Sequence, residues 1–285
     1  MSIIGAGRVG TALAVLLEQA GHRIVAASGR HASRDRVERH LPSTPFLPET
    51  DAAGRAAVVV IAVPDDAILP TCERLAAAGS LRPGQRVIHV SGSTSLAALD
   101  AARAAGASVL SLHPLQSFPD VESGIDRLPG SGIAVTAPDG AGFAFGQELS
   151  RDLGGIPFRL ADEVKPLYHA AAVFCANYLV TVEGIAQLAM AAAGVEDALA
   201  LFEPLARTAF DRTFALGPGA ALTGPAVRGD VGTIERNLAA LAAAVPEAVE
   251  AYAALAVAAA RIAEEAGRLA PDARGRVEEA VDRWR

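Results

Sequence analysis

The sequence predicts a doubly wound α/β domain followed by an all-helical one, and three observations lead there. A short apolar strand, Ser2-Ile-Ile4, runs into Gly5-Ala-Gly7-Arg-Val-Gly10 and then into a helix-forming stretch from Thr11 to Leu17. Strand-like and helix-like pieces then alternate as far as Leu160. Beyond Leu160 the apolar residues keep a helical period and no strand pattern returns. Alternation of this kind builds a mostly parallel sheet wound on both faces, with ligands at the carboxyl ends of its strands. The expected domains are residues 1–160 and 161–285.

Each element has its own warrant. Arg23 to Ser28 forms a second strand, and an arginine-rich helix from Ser33 to Leu41 ends at Pro42. Thr44 to Leu47 forms a short third strand. Ala57 to Val63 is continuously apolar, as a strand buried on both faces must be. Pro64 stops it, and Asp65 or Asp66 caps the next helix. Arg86 to Ser91 and Ser108 to Leu112 are strands, with a helix from Leu96 to Ala105 capped by Ser95 between them. Gly132 to Thr136 and Pro157 to Leu160 are late strands around a helix from Ala141 to Leu153. The second half reads as helices over Ala161 to Ala193, Glu196 to Phe214, Asp230 to Ala244 and Pro246 to Ala266, with one more near the C-terminus. Pro166 is tolerable in a first turn, and Gly217 to Pro225 is a loop.

The glycine turn carries the chemistry of a dinucleotide site. Gly5 permits the tight turn, Gly7 lets the backbone approach a diphosphate, and Gly10 lets the new helix pack on the strand. The first amides of that helix, from Arg8 and Val9 onward, and its dipole attract the phosphates. The competing interpretation is a glycine-rich turn without a ligand. Sites that prefer NAD place a carboxylate at the end of the second strand, about twenty residues on. Here that end is Ser28-Gly-Arg30, and no carboxylate follows before Asp35. Arg30 can grip a 2′-phosphate bidentately and Ser28 can add a hydrogen bond, so NADP is favoured over NAD. Val63 and Pro64, at the end of the Ala57–Val63 strand, and Ser91, at the end of the next, complete the expected cofactor contacts.

Composition excludes several classes. A net charge of −7 argues against a general nucleic-acid binder. Two cysteines, Cys72 and Cys175, form no CxxC and read as buried apolar residues in a reducing compartment. Six histidines show no metal-ligand spacing, so no metal is expected. No signal peptide is visible, and Asn177 and Arg261 interrupt the most apolar stretches, so the expected location is cytoplasmic and off the membrane.

A nicotinamide enzyme also needs a proton donor and polar groups that orient a substrate. Lys165, His169 and Asn177 fall at steps of four along one helix, on a face otherwise of alanine, valine, phenylalanine and cysteine that is expected to be buried. Such polar residues need partners or a role. Lys165 could instead be solvated and His169 a satisfied core histidine. Ser91, at one strand end, and His113, at the next, converge on the same cleft, His113 as a second possible acid. Arg228 could bind a substrate carboxylate, and Asp230 caps a helix.

These stretches together resemble a known group. Gly5 to Gly10, Ala62-Val-Pro64, His89-Val-Ser-Gly92, Leu112-His-Pro-Leu-Gln116, Tyr168-His-Ala170, Asn177-Tyr178, Leu222-Thr-Gly-Pro225 and Arg228-Gly-Asp230 are similar to Rossmann-like oxidoreductases carrying a C-terminal domain of unknown function 2520. The wider set includes β-hydroxyacid dehydrogenases, ketopantoate reductase and pyrroline-5-carboxylate reductase. The resemblance implies a helical second domain like that of 6-phosphogluconate dehydrogenase, often a dimer through it. In two of these groups a helix lysine is the acid–base residue and asparagines follow at steps of four. Lys165 matches the lysine and Asn177 a later asparagine, while His169 stands where another asparagine is expected. The expected function is hydride transfer between NADP and a small polar carbonyl, hydroxy or imine compound. The rival is a non-catalytic dinucleotide sensor or scaffold. Exchange with a second cofactor such as a deazaflavin would need a wider, more cationic cleft. If Arg30 selects the 2′-phosphate, Arg30→Ala raises the KM for NADPH far more than that for NADH in steady-state kinetics; equal effects would refute the selection.

Overall fold

A computed structural model describes residues 1–284 and divides into two compact units, Met1–Ala176 and Asn177–Arg285. The first runs β1 (Ser2–Ile4), α1 (Arg8–Gln19), β2 (Ala26–Ser28), α2 (His31–His40), α3 (Glu49–Gly54), β3 (Val58–Ile61), α4 (Asp65–Ala77) and β4 (Arg86–His89). It continues with a 3-10 turn (Leu96–Leu99), α5 (Asp100–Ala104), β5 (Ser108–Pro114), α6 (Val121–Arg127), β6 (Gly132–Thr136), α7 (Gly140–Asp152) and β7 (Ile156–Arg159). A second 3-10 turn (Asp162–Val164) leads into α8 (Lys165–Cys175). The sheet order is β2-β1-β3-β4-β5-β6-β7. The chain leaves β1 to one side for β2 and to the other for β3, so the strand order reverses beside β1 and opens a crevice at the strand ends.

Successive strand residues alternate between two core layers, as the period of two requires. Ile3 joins the layer of Leu13, Leu17 and Leu149, while Ile4 joins that of Ile68, Cys72 and Leu75. All four residues of β3 are buried, in keeping with its apolar run. The sheet is not wholly parallel. β6 pairs antiparallel with β5, and β7 runs parallel to β6. The reversal follows from the connection between β5 and β6, which carries α6 but brings the chain back against the end of β5 rather than crossing to its start.

Three local expectations change. Residues 44–47 form no strand, only an isolated bridge between Ala27 and Phe46, because Pro45 and Pro48 have no N–H to extend a ladder. The stretch after Ser95 begins as a 3-10 turn before becoming helical, and Ser95 does cap it, accepting from the Ala97 N–H. Asp65 opens α4 without capping it. The compact units also meet one helix later than the change of sequence pattern at residue 160. Asp162 and Lys165 hydrogen-bond to groups beside β4 and β5, which ties the 3-10 turn and α8 to the sheet.

The second unit contains α9 (Asn177–Ala192), α10 (Ala198–Leu216), α11 (Pro218–Ala221), α12 (Pro225–Arg228), α13 (Val231–Ala244), a 3-10 turn (Pro246–Ala248), α14 (Val249–Glu265) and α15 (Pro271–Asp282). Its core joins α12 to α15 through Ile234, Leu238, Ala253, Ala260, Ala263 and Val277. Alanine at the contacts lets the helices approach closely. Asp230 caps α13 as expected.

Helices α8, α9 and α10 do not follow the expected burial. Phe174 is 68% exposed and Cys175 is exposed, so the outer face of α8 is uncovered. No residue of α9 is buried. By length and composition alone, the run Asp162–Ala192 holds an 18-residue stretch apolar enough to cross a membrane, with a mean hydropathy of 1.4. A single asparagine at position 177 does not lower the apolar content of that run enough to prevent it.

Candidate active site

The glycine turn is built as its sequence requires. Gly5 has φ +96°, and a Cβ there would lie 2.7 Å from the Ala62 carbonyl oxygen. A Cβ on Gly10 would meet the Gly5 carbonyl oxygen and the side chains of Ala62 and Ile3, so α1 can approach β1 only with glycine at this point. The N–H groups of Gly5 and Ala6 both donate to the Ser28 carbonyl, at 2.9 and 2.8 Å, which ties the turn to the end of β2. Arg36 donates to the Ala6 carbonyl at 3.0 Å. The α1 ladder begins with Thr11 N–H on Gly7, so the amides of Arg8, Val9 and Gly10 precede it and are free to meet an anion. No acidic residue stands in the first turn. A Cβ on Gly7 would have no neighbour closer than 4.0 Å, leaving open space where a diphosphate would lie.

Two hollows flank this turn and share Gly7, Arg30, Ala62, Val63 and Pro64, forming one groove across the strand ends. The first, of about 750 Å³, is bordered by Ser28, Arg30, Ser33, Arg34 and Phe46. The Arg34 guanidinium lies 4.8 Å from the centre of the Phe46 ring. Glu49 also borders this hollow, but Arg74 donates to it at 2.8 Å and balances its charge. Arg30 and Arg34 are thus the unbalanced charges at this end, as a 2′-phosphate requires. A dinucleotide fits the groove by its open glycine turn, its unengaged amides and its basic end.

The second hollow, of about 460 Å³, is bordered by Arg8, Val9, Asp65, Ser91, His113 and Gln116, among others. Ser91 follows β4 and His113 lies within β5. The Ser93 and Thr94 amides donate to Ser91 Oγ at 3.2 and 3.0 Å, and its one proton meets Asp65 Oδ2, 2.8 Å away, or Thr94 Oγ1, 2.9 Å away. Ser93 Oγ donates to Asp65 Oδ2 at 2.6 Å. A Cβ on Gly92 would lie 2.7 Å from the His113 ring, so the ring rests directly on this backbone.

Lys165 stands behind that wall. It is 1% exposed, and its Nζ donates to the Ser91 carbonyl at 3.0 Å and to Ser111 Oγ at 2.7 Å. Burial lowers its pKa to about 8, opposed by the charges of Asp162 and Asp65. His113 Nδ1 and the Tyr168 hydroxyl are 2.8 Å apart. Burial, with His169 and Lys165 nearby, pushes His113 down to about 4, and burial pushes Tyr168 up to about 12. His89 is wholly buried beside them and accepts from the Ser91 N–H through Nδ1, with no partner for Nε2. Burial and the Lys165 charge hold its pKa near 3.

Of the residues singled out in the sequence, Gly5, Gly7, Gly10, Ser28, Arg30, Val63, Pro64 and Ser91 border or build the groove, and Arg8 and Val9 supply amides. Lys165 and His113 come together with Ser91, and His169 lies with its ring centre 6.0 Å from that of His113. Lys165 is neither solvated nor on the cavity wall, because the Ser91 carbonyl and Ser111 hydroxyl draw it inward. Asn177 opens the second unit, where its carbonyl accepts from Thr181. Ser93 stands in the Ser91 loop that was expected to reach the cleft, whereas no site role was expected for Asp65 or Tyr168. Asp65 follows Pro64 at a helix start, where a cap is the ordinary role, and its pairing with Ser91 depends on two strands meeting. Among the described residues no group of His, Cys, Asp and Glu is arranged to hold a metal ion.

Fold and site together define a doubly wound dinucleotide-binding protein, and comparison places the chain further. Residues 1–114 match the Rossmann-like domain model, and residues 131–259 match the model of the domain of unknown function 2520. The chain is thus a Rossmann-like protein with a C-terminal domain of unknown function 2520. A protein of Bacteroides fragilis named as a candidate NADP oxidoreductase has a similar structure. Its TM-score is 0.77 at 20% identity, over 91% of this chain and 97% of that one. A Thermotoga maritima protein scores 0.69 at 20% identity, over 93% and 98%. A reductive aminase from Aspergillus terreus, in complex with NADPH and ethyl levulinate, scores 0.63 at 18% identity, over 99% and 92%. A glycerol-3-phosphate dehydrogenase [NAD(P)+] of Lysinibacillus sphaericus is 32% identical over 102 residues, which spans 31% of this chain and 30% of that protein.

The buried imidazoles give the fold a definite acid sensitivity. His89 and His113 titrate near 3 and 4 in the folded chain, against 6.5 ordinarily. The unfolded chain therefore binds more protons over that range, and stability present above about pH 6.5 is lost as the pH falls towards these lower values. The melting temperature is expected to drop less steeply between pH 6.5 and 4 in His89→Gln than in the wild type; superimposable slopes would contradict the buried neutral state.

Proposed function

We propose that this NAD(P)-dependent oxidoreductase uses NADPH to exchange hydride with a small polar carbonyl, hydroxy or imine compound seated against Ser91 and His113. The observation that carries this is the second hollow, a polar wall at the far end of the dinucleotide groove. A sensor that only registers a dinucleotide has no use for such a wall. The names of the similar proteins support it, since they include an NADPH-bound reductive aminase and a dehydrogenase using NAD(P)+.

When bound, the cofactor supplies hydride to an electrophilic carbon. The chain's own residues do the rest. The amides of Arg8, Val9 and Gly10 orient the diphosphate, and Arg30 and Arg34 hold the 2′-phosphate. His113 is neutral near pH 7. Its Nδ1 is engaged with Tyr168, so Nε2 is the nitrogen left to meet a substrate heteroatom. Lys165 acts through Ser91 as a positioning residue, fixing the strand end and holding a proton at Nζ that titrates near pH 8.

The protein is a homodimer in this proposal, joined through its exposed helices. α9 and α10 present Val180, Leu188, Leu201, Leu205 and Phe214 to solvent. α10 also carries a Glu203–Arg207 ion pair and the charged residues Asp211 and Arg212, which suit contact with protein rather than lipid. A second copy of the same surface is the expected cover.

Fluorescence titration with NADPH and NADH should give tighter binding of NADPH, and a screen of keto acids, aldehydes and cyclic imines should reveal turnover. Lys165→Met should lower kcat about a hundredfold and remove a kcat inflection near pH 8, with NADPH affinity nearly unchanged. Full turnover in both Lys165→Met and His113→Asn would defeat the assignment. Sedimentation at micromolar concentration should show a dimer that Leu205→Glu with Phe214→Glu converts to a monomer; a wild-type monomer would remove the proposal.

A further inference from the structure

The hydroxyl and amide side chains bordering the second hollow have their own donors engaged, which leaves the His113 imidazole and the backbone amides of the glycine turn as its donors. The hydroxyl proton of Ser93 goes to Asp65 Oδ2, and that of Ser91 goes to the same oxygen or to Thr94 Oγ1. The Gln116 side-chain N–H groups go to the Arg127 carbonyl and to Ser131 Oγ, each at 3.1 Å. The known donations of Lys165 go to Ser91 and Ser111, away from the cavity. Asp65 Oδ1 carries no hydrogen bond among the described residues, and the side chain is exposed at the rim. The two arginines bordering the same hollow are Arg30, at the 2′-phosphate end, and Arg8, whose charge also acts on Asp120. His113 and His89, with pKa values near 4 and 3, add no positive charge near pH 7. One carboxylate therefore dominates the open wall at the substrate end of the groove; Lys165, a cation whose charge it feels, is buried and donates to Ser91 and Ser111.

We infer that Asp65, held in place by Ser91 and Ser93, docks a cationic N–H group of the substrate, so that the reacting bond is carbon–nitrogen: a protonated imine in one direction, an amine in the other. A ligand that meets Asp65 must bring the donor, and a charged N–H brings both donor and counter-charge. The chemistry closes without an acid from the protein. Hydride adds to the imine carbon, the C=N π pair moves to nitrogen and cancels its charge, and the products are the neutral amine and oxidised cofactor. A carbonyl would need a proton on oxygen in the same step, from a wall whose imidazoles are neutral and whose lysine is buried.

This inference rests on the oxidoreductase function proposed above. The test measures binding as well as turnover. With the protein saturated with NADP⁺ at pH 7, calorimetry should show cyclohexylammonium binding at least tenfold more tightly than cyclohexanol or cyclohexanecarboxylate. Asp65→Asn should abolish that preference while the Kd for NADPH and the melting temperature stay close to wild type, and a cyclic imine should be reduced with a KM raised about tenfold by the same change. Equal binding of ammonium and alcohol, or an unchanged preference in Asp65→Asn, would overturn the inference. Turnover of keto acids with Asp65→Asn fully active would overturn it alone and leave the oxidoreductase standing. Failure to bind either nicotinamide coenzyme would overturn both.

Discussion

The site depends on one buried ammonium group. A charge removed from water is costly unless its hydrogen bonds are replaced, and Lys165 finds replacements in the Ser91 carbonyl and the Ser111 hydroxyl. Those acceptors lie just past the end of β4 and midway along the adjacent β5, so the first turn of α8 is pinned against the sheet. One turn earlier Asp162 takes the Ser95 hydroxyl at 2.5 Å and the Leu96 amide at 3.0 Å, which adds a second tether. One turn later Tyr168 reaches His113. The positive charge of Lys165 also helps keep His89 and His113 neutral, so a single tie sets both geometry and protonation.

The groove has two electrical characters. Its adenosine end is basic, because Arg74 balances Glu49 and leaves Arg30 and Arg34 uncompensated. Its far end is governed by Asp65 and by the Ser91 and Ser93 hydroxyls within hydrogen-bonding distance of that carboxylate. The glycine turn separates the two and contributes backbone amides in place of side chains. A ligand spanning the whole groove must be anionic at one end and neutral or positive at the other.

Much of this was legible from residues in order. The glycine spacing, the apolar run of Val58–Ile61 and the placing of Ser91 and His113 at strand ends all follow from local patterns whose physics is local. The roles of Asp65, Glu49 and Arg36 were not legible. Each depends on a partner that is distant in sequence or on a backbone carbonyl that carries no side-chain mark. Asp65 sits where a helix cap is the usual expectation, and only the approach of the Ser91 loop redirects it. The outer face of α8 misled for a different reason: alanine, phenylalanine and cysteine look alike in sequence whether they face a core or an exposed surface. Helix boundaries in the second unit were closer to expectation, since Gly194, Gly217 and Gly267 stop helices with backbone angles that other residues resist.

The reversal of β6 has a mechanical consequence. In an all-parallel arrangement β5 would release the chain near Ser111, where its pairing with β4 stops, and His113 would ride on a loop. Antiparallel pairing with β6 carries the strand on to Pro114, setting His113 opposite Ala134. The imidazole is thereby mounted on a rigid ladder with Gly92 as its floor. Little reorganisation is then required of it when a ligand arrives, and tolerance for a misplaced one is correspondingly small.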